Sequence, residues 1–594
     1  MKENLVIINS ILDKRQKRNI VILFFMVLVG AGLETIGVSS ILPLVSAIMS
    51  DNFIKDNEYA RYFCELLGIE NNRTFLIVMM VGIIVVFVVK ESYMLLLNYA
   101  QYRFIYNGQV KMTSDLFDAF MHRDYEFFLN SNYNYISKIV RHDVVDEYNL
   151  LLCMVKFVTE AVVFVILSIL LFVIDAHIAL VVVCLMAVIM LVIFGVVKPI
   201  MKKSGDTARK YIVLADKWMY QGFNGIKDVK IAQKEKFFID NYHLNQKNYS
   251  NSQRTKAFVS DCPTYIMEGI CIVGVVCYMI TVVAGGADIT TLLPQISAFA
   301  VAAVRLLPSA NRMNGNLNNM AYYKSLLKDL DVQLEEIKKL NAKEEKHVNT
   351  TENIIGNVKD KIELKGITFS YQEGERPVFI HADMEIPIGK SVAVVGPSGA
   401  GKTTAVDIML GLLKLQKGEV LADGKNIFDD YSGWISHVGY IPQTIYLTDD
   451  SIKNNVAFGV PEDKIDVKRV WKVLEEAQIK GFVESLNDGI MTEIGDRGVR
   501  LSGGQRQRLG IARALYDDPE ILVFDEATSA LDNDTESAIM ESINYFKGKK
   551  TLVIIAHRLA TVENCDIRYR VAEGKIVREE VEHEARCDST KIYD

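Results

Sequence analysis

The chain is poor in the residues that cross-link or tag other protein classes. In 594 residues it has 8 cysteines, 11 prolines and 3 tryptophans. Cys64, Cys153, Cys184, Cys262, Cys271, Cys277, Cys565 and Cys587 lack metal-ligand spacing, and Cys153, Cys184, Cys262, Cys271 and Cys277 lie in or beside apolar runs. A disulfide framework is therefore not expected. A basic surplus is missing too. With a net charge of −7 and no basic tail, nothing calls for nucleic acid as a partner. The basic N-terminus precedes an apolar run that is too long for a signal peptide and lacks a small-residue cleavage site, so it reads as a retained first helix.

What the chain has in quantity is apolar length. Half the residues are hydrophobic and the mean hydropathy is +0.16. The apolar runs long enough to cross a bilayer, about 20 residues each, all fall in the first 320 or so positions. The remainder has ordinary globular composition. The length exceeds one compact core, so a membrane domain (1–323) joined to a soluble one (362–594) is expected. The segment 324–361, charged and rich in lysine and glutamate, reads as the linker.

Six spans are placed at 19–49, 74–105, 150–175, 177–201, 257–286 and 288–313. The turns 174–177 and 285–288 carry no lysine or arginine, whereas Lys2, Lys14, Arg15, Lys17 and Arg18 precede the first span. The segments 106–149 and 202–256 are long, polar and lysine-bearing. The positive-inside tendency puts the N-terminus, both long segments and the soluble domain in the cytosol. Structureless loops of that length are unusual, so both are predicted to continue the spans as helix, reversing near Asp124-Tyr125-Glu126-Phe127-Phe128 and Gly222-Phe223-Asn224-Gly225. In the external segment 50–73, Tyr59, Tyr62, Phe63, Leu66 and Leu67 have helical spacing, which fits a short amphipathic helix at the membrane surface or a packed external loop.

The soluble part holds the most specific stretch, Gly396-Pro397-Ser398-Gly399-Ala400-Gly401-Lys402-Thr403-Thr404. An apolar strand (391–395) precedes it and a helical pattern (405–413) follows, the context that makes a G-x-x-x-x-G-K-[ST] match credible. Such a loop closes its backbone N–H groups around phosphate oxygens at a helix N-terminus. Lys402 would reach the β- and γ-phosphates and Thr403 would hold Mg²⁺. Strand candidates at 391–395, 438–441, 521–524 and 552–555 alternate with helical patterns, predicting an α/β domain with a largely parallel sheet. The strand from Ile521 ends in Asp525 and Glu526, which suit a Mg²⁺ carboxylate and the base that polarises the attacking water. His557 and Gln443, each following a strand, suit contacts to the γ-phosphate and to metal and water.

Leu501-Ser502-Gly503-Gly504-Gln505 identifies the class by resemblance: with GPSGAGKTT and ILVFDE it resembles the signature, Walker A and Walker B motifs of ATP-binding cassette (ABC) transporters. The resemblance makes Gln443 the Q-loop, Ser529-Ala530-Leu531-Asp532 the D-loop, His557 the switch histidine and Tyr371 the aromatic that stacks on adenine. Thr492 to Gly498 looks like the X-loop of ABC exporters. Six spans followed by one cassette is the exporter half-transporter layout. It implies an all-α six-helix transmembrane domain followed by an α/β P-loop nucleotide-binding domain, ATP and Mg²⁺ as cofactors, and a homodimer in which Ser502, Gly503, Gly504 and Gln505 close on ATP held by the other cassette. It also implies the bacterial inner membrane as the location.

The cargo is sought among ionisable groups in the spans, which are costly there. Glu34, Lys90, Lys156 with Glu160, Glu268, Arg305 and Arg312 qualify. Lys156 and Glu160, four apart, are expected to pair with each other, and Lys90 to snorkel. Arg305 and Arg312 share a helix face about 10 Å apart and suit a phosphate or pyrophosphate. Their alternative is salt-bridging to Glu34 or Glu268, or contact with lipid headgroups. Glu34-Thr35 with Pro43, and the run Arg305 to Arg312, resemble the lipid-linked oligosaccharide flippases of bacterial N-glycosylation (PglK-type), although Thr264 stands where a further arginine would be expected. This resemblance implies a polyprenyl-diphosphate-linked oligosaccharide as cargo, with Arg305, Arg312, Lys90 and Glu34 as substrate residues. Export of a drug, a lipid or a peptide is the alternative. No protease domain precedes the first span, which weakens the peptide reading. An ATP-gated regulator is a further alternative, disfavoured because Glu526 is present.

Overall fold

The computed structural model describes residues 13–40, 43–44, 47–48, 57–69, 71–131, 133–174, 193–284, 289–326, 355–371, 376–525, 543–555 and 565–579. The chain divides into two units, one drawing on residues 1–123 and 130–346, the other on 124–129 and 347–594.

The first unit is helical. Its main described helices are α1 (Lys14–Ser39), α2 (Glu58–Leu67), α3 (Asn72–Met121), then, after a short helix grouped with the second unit, α5 (Val144–Ile174), α6 (Lys198–Asn224), α7 (Glu235–Ala284) and α8 (Ile289–Leu326). Among the described residues, three stretches are long and apolar enough to cross a membrane: Lys14–Gly37, Arg73–Met121 and Tyr135–Ile169. The predicted fifth and sixth spans fall on α7 and α8, and most of the fourth lies outside the described residues. Phe25, Ile77, Ile84 and Val88 are all more than half exposed, so apolar side chains clothe the outside of α1 and α3, as lipid contact requires. Inside, Ala31, Val163, Leu167 and Leu306 join α1, α5 and α8, and Met201, Ala208, Met267 and Tyr322 join α6, α7 and α8.

The long polar segments are helix, as their length demanded. The helix α3 runs 50 residues, and reversal follows at the short helix α4 (Tyr125–Asn130). The helices α6 and α7 form the second hairpin, with the turn at Gly225. In the second unit Lys414 joins α4 through Nζ to Asp124 Oδ2 at 2.7 Å, while the Lys414 N–H donates to Glu126 Oε1 at 3.1 Å.

The external segment contains a helix rather than a loop. Asn57 caps α2 by accepting the N–H groups of Tyr59 and Ala60, and Gly68, at φ 65°, ends it in the left-handed conformation. Ala60 and Cys64 turn inward onto Ala47 and Phe75, whereas Tyr59 and Tyr62 point out, 88% and 69% exposed.

The second unit has two sheets. The strands β3 (Ser391–Val395), β6 (Val438–Ile441), β7 (Ile521–Asp525) and β8 (Thr551–Ile555) coincide with the predicted apolar runs. With β9 (Ile567–Ala572) and β10 (Lys575–Glu579) they form a sheet ordered β10-β9-β3-β8-β7-β6, parallel except for the β9–β10 hairpin. A separate antiparallel sheet, ordered β2-β1-β4-β5, comprises β1 (Lys361–Phe369), β2 (Phe379–Pro387), β4 (Lys417–Ala422) and β5 (Lys425–Asn426). Its strands alternate buried and exposed residues, so they offer no continuous apolar run to a reader of the sequence.

Strand alternation divides the core. Val392, Val394, Ile521, Val523, Val553 and Ile555 face one cluster, which also contains Ala405, Val406, Ile408 and Met409 of α9 (Lys402–Met409). Ala393, Leu522, Phe524, Leu552 and Ile554 face the other, with Leu509, Ile511, Ala512 and Leu515 of α10 (Gly503–Leu515). The helix after the glycine loop and the helix after the signature turn therefore cover opposite faces of one sheet. The end of the predicted linker is part of this unit: Ile355 and Val358 are buried in the first cluster, and Asp423 accepts the N–H groups of Lys359, Asp360 and Lys361.

Candidate functional site

The glycine loop sits at the carboxyl end of β3 and leads into α9, where a parallel sheet places its ligands. Gly401 is the N-cap at φ 103°, and a Cβ there would lie 2.7 Å from Val378 Cγ1. Only glycine fits, and with no side-chain cap the first-turn N–H groups are left facing the loop. A Cβ on Gly396 would collide with the carbonyl oxygen of Val571. Lys402 is 5% exposed, and its ammonium donates to the carbonyls of Gly396 and Pro397 at 3.1 and 3.0 Å, within the turn of the loop. This is a concave, backbone-lined, positively charged cradle that fits a polyphosphate. Ser398, Gly399 and Ala400 complete it.

Thr403 and Asp525, the residues expected to hold Mg²⁺, lie together. Thr403 Oγ1 lies 3.4 Å from Asp525 Oδ1, joining the start of α9 to the end of β7. Two hard oxygen donors side by side beside the phosphate cradle fit Mg²⁺. Asp525 is 5% exposed and receives a second bond at 3.2 Å, donated by Tyr440 Oη from β6. Burial, then the Asp525 charge, pushes the nearby Asp407 carboxyl up to about 6. Tyr440 is raised by burial and then by the charges of Asp525 and Asp407, so its hydroxyl stays protonated.

Tyr371, 46% exposed, hydrogen-bonds through its hydroxyl to Thr404 Oγ1 at 2.9 Å and packs edge-on against Phe369. Its ring is thus anchored at the loop with a face available for stacking. Gln443 lies just past the end of β6 and is exposed. Ser502 caps α10, with Gly503 and Gly504 as its first two residues. The Gln505 side chain accepts from Ser502 N at 2.8 Å and Ser502 Oγ accepts from Gln505 N at 3.3 Å, a reciprocal capping box. Gln505 therefore shapes the turn, leaving the glycine N–H groups at the helix mouth. Glu526, Asp532 and His557 lie outside the described residues, as does the side chain of Arg305.

Two family models match: "ABC transporter transmembrane region" over residues 20–300 and "ABC transporter" over residues 380–529. A solved bacterial Atm1-family ABC exporter with ATP bound superposes with a TM-score of 0.72 at 20% identity, over 94% of this chain and 95% of that one. This is the fold of an ABC exporter. Curated relatives include the ATP-dependent lipid A-core flippases of Cupriavidus pinatubonensis, 39% identical over 40% of each chain, and of Francisella novicida, 35% identical over 52% of this chain and 50% of that one. A plant relative, ABC transporter B family member 21 of Arabidopsis thaliana, is 37% identical over 41% of this chain and 19% of its own. The chain thus matches about half or less of the length of these curated relatives. The two bacterial relatives bear the name of lipid A-core flippases, so the finer likeness to oligosaccharide flippases is not carried by them.

The charges of the helical unit are arranged differently from their sequence spacing. Lys156 does not pair with Glu160: its ammonium reaches Tyr102 Oη at 2.8 Å and lies 4.6 Å from the centroid of that ring. Glu160 instead accepts from Arg312 Nε at 2.5 Å and Ser309 Oγ at 2.9 Å. Arg312 thus bridges to neither Glu34 nor Glu268, the partners named in the salt-bridge alternative. Nor does Lys90 snorkel. It is 2% exposed and bonds Glu34 at 3.0 Å and Glu91 at 2.8 Å. Of the four proposed substrate residues, Glu34 and Lys90 are locked together and Arg312 alone keeps an exposed side chain among those described. Ser309, Tyr440 and Asp407 are the residues sequence reasoning missed. The tyrosine at the end of a strand leading into Pro442-Gln443 was the available signal.

Proposed function

We propose that this chain is one half of a homodimeric ABC exporter that couples Mg-ATP hydrolysis to flipping or export of an amphiphilic lipid across the bacterial inner membrane. The observation that carries the reading is the cradle of Gly396–Thr404 with Thr403 and Asp525 meeting beside it. Lys402 and the loop amides bind and orient the β- and γ-phosphates, and Thr403 and Asp525 hold Mg²⁺, which would neutralise charge on the phosphate oxygens. Glu526 is assigned the base that polarises water, with His557 and Gln443 placing the γ-phosphate and the water.

Placement supports the homodimer. Since α9 and α10 cover opposite faces of one sheet, the Ser502-Gly503-Gly504 mouth is assigned to ATP held by the partner's loop. Two composite sites result, with Asp532 at their interface. ATP closes them, hydrolysis releases them, and each event shifts the membrane helices between inward- and outward-facing states.

For cargo, we favour a polyprenyl-diphosphate-linked oligosaccharide. The exposed guanidinium of Arg312 on α8, with Arg305 seven residues before it, offers bidentate partners to a diphosphate. A lipid A-core glycolipid is the second reading, supported by the names of the relatives. The experiment is ATP-dependent flipping of a fluorescent polyprenyl-diphosphate oligosaccharide in proteoliposomes, with Glu526→Gln as the inactive control. Flipping by the native protein alone is the expected result. ATP hydrolysis without flipping of this lipid, but with flipping of lipid A-core, would replace the first cargo with the second.

A further inference from the structure

The parallel sheet brings one group to the metal carboxylate that no motif includes. In β7 the side chains of Ile521, Val523 and Asp525 share a face, the one covered by α9. Neighbouring β6 runs parallel, with Tyr440 in register with Val523. Tyr440 packs on the same cluster as Val523, and its ring extends along that face towards the carboxyl end of β7. Its hydroxyl thereby reaches Asp525 Oδ2 at 3.2 Å, while Thr403 Oγ1 lies beside the other oxygen, Oδ1.

We propose that Tyr440 is a positioning residue for the nucleotide-bound metal: by donating to Asp525 Oδ2 it fixes the carboxylate rotamer so that Oδ1 faces Thr403 and the phosphate cradle. The inference rests on the ATPase reading above. A carboxylate at a strand end turns freely about its χ2 torsion, and only one rotamer serves the metal. A donor held on the adjacent strand removes that freedom before the metal arrives, as outer-shell partners do at metal sites. A tyrosine hydroxyl carries its proton at neutral pH, so it can donate to the carboxylate.

The test uses the full-length protein in nanodiscs and the variant Tyr440→Phe, which keeps the ring and deletes the donor. Mn²⁺ affinity is measured by electron paramagnetic resonance with a non-hydrolysable ATP analogue present, and nucleotide affinity is measured separately in EDTA. The variant should bind Mn²⁺ roughly tenfold more weakly. Its nucleotide affinity and melting temperature in EDTA should be unchanged. Val438→Ala, on the same strand face but away from the carboxylate, is the packing control: it should lower the melting temperature and leave Mn²⁺ affinity alone. Equal Mn²⁺ affinity in native and Tyr440→Phe proteins overturns the inference and leaves the ATPase reading standing. Parallel loss of EDTA nucleotide binding overturns it too, by making the role one of packing. Native protein that binds no nucleotide at all sinks the ATPase reading and the inference with it.

Discussion

Arg312 Nε on α8 and Glu160 Oε1 on α5 meet at 2.5 Å, and Ser309, one helical turn before Arg312, donates to the same carboxylate at 2.9 Å. The pair is asymmetric, since the arginine side chain is 58% exposed and the glutamate 16%. Glu160 is satisfied within the bundle, while the guanidinium has further donors to offer outward. Arg312 therefore clamps α8 to α5 while keeping guanidinium N–H groups exposed.

Those roles separate by charge exchange. Arg312→Glu should lower lipid flipping in proteoliposomes more than it lowers basal ATP hydrolysis. The paired exchange Glu160→Arg with Arg312→Glu restores an α5–α8 bridge but moves the cation. If Arg312 binds cargo, the exchange should recover thermal stability and not flipping. Recovery of both would reduce Arg312 to a structural partner.

The contrast between what the chain announces and what it conceals is physical. The glycine loop, the strands β3, β6, β7 and β8 and the helical reversals are local patterns, each written in fewer than about 15 consecutive residues. Charge partners are not local. Lys156 and Glu160 do lie on one face of α5, as their spacing requires, but that face borders two neighbours, and Tyr102 takes one charge while Arg312 takes the other. Tyr440 is similar. Its contact with Asp525 exists only because β6 and β7, more than 80 residues apart in the chain, are adjacent in the sheet. The antiparallel sheet escaped notice because half-buried strands alternate instead of running apolar.

Loss of the base proposed at Glu526 should be the sharpest functional effect. Glu526→Gln should retain ATP binding while turnover falls roughly a hundredfold or more, measured as single-turnover phosphate release. Unchanged turnover would remove Glu526 from the role of base.

Asp423 predicts a pH dependence in the second unit. At φ 49° with Gly424 at φ 76°, it forms the β4–β5 hairpin turn, and its carboxylate gathers three backbone N–H groups from 359–361. Burial opposes ionisation, yet those donors and the Lys425 charge hold the group below the ordinary carboxylate value. A folded-state value below the unfolded one stabilises the protein above the unfolded value, about 3.9, and the contribution disappears as pH falls through the folded value. Asp423→Asn keeps the left-handed turn and removes the charge. It should cost about 1 kcal/mol near neutral pH, the solvent-screened worth of such donors to an exposed carboxylate. Thermal melts should show that cost shrinking as pH falls below the ordinary carboxylate value and through the lower folded-state one. A cost independent of pH would mean the charge contributes nothing.

The Lys90–Glu34 pair makes a stability prediction because the Lys90 ammonium is buried. Lys90 Nζ lies 3.0 Å from Glu34 Oε2 with side-chain exposures of 2% and 14%, joining α3 to α1, and Gly37 leaves just enough room, since a Cβ there would sit 3.3 Å from Lys90 Cδ. Removing Glu34 leaves the buried Lys90 ammonium with Glu91 alone, at 2.8 Å. Glu34→Leu should therefore destabilise the protein by less than the roughly 3–5 kcal/mol typical of a fully uncompensated buried charge. Replacing both, Glu34→Leu with Lys90→Met, removes the buried cation and should recover most of that loss. If the pair is only structural, the double variant should also flip lipid at the native rate. If Lys90 or Glu34 contacts cargo, the double variant should be stable and defective in flipping. Melting temperatures and flipping rates on the same two preparations decide between these outcomes.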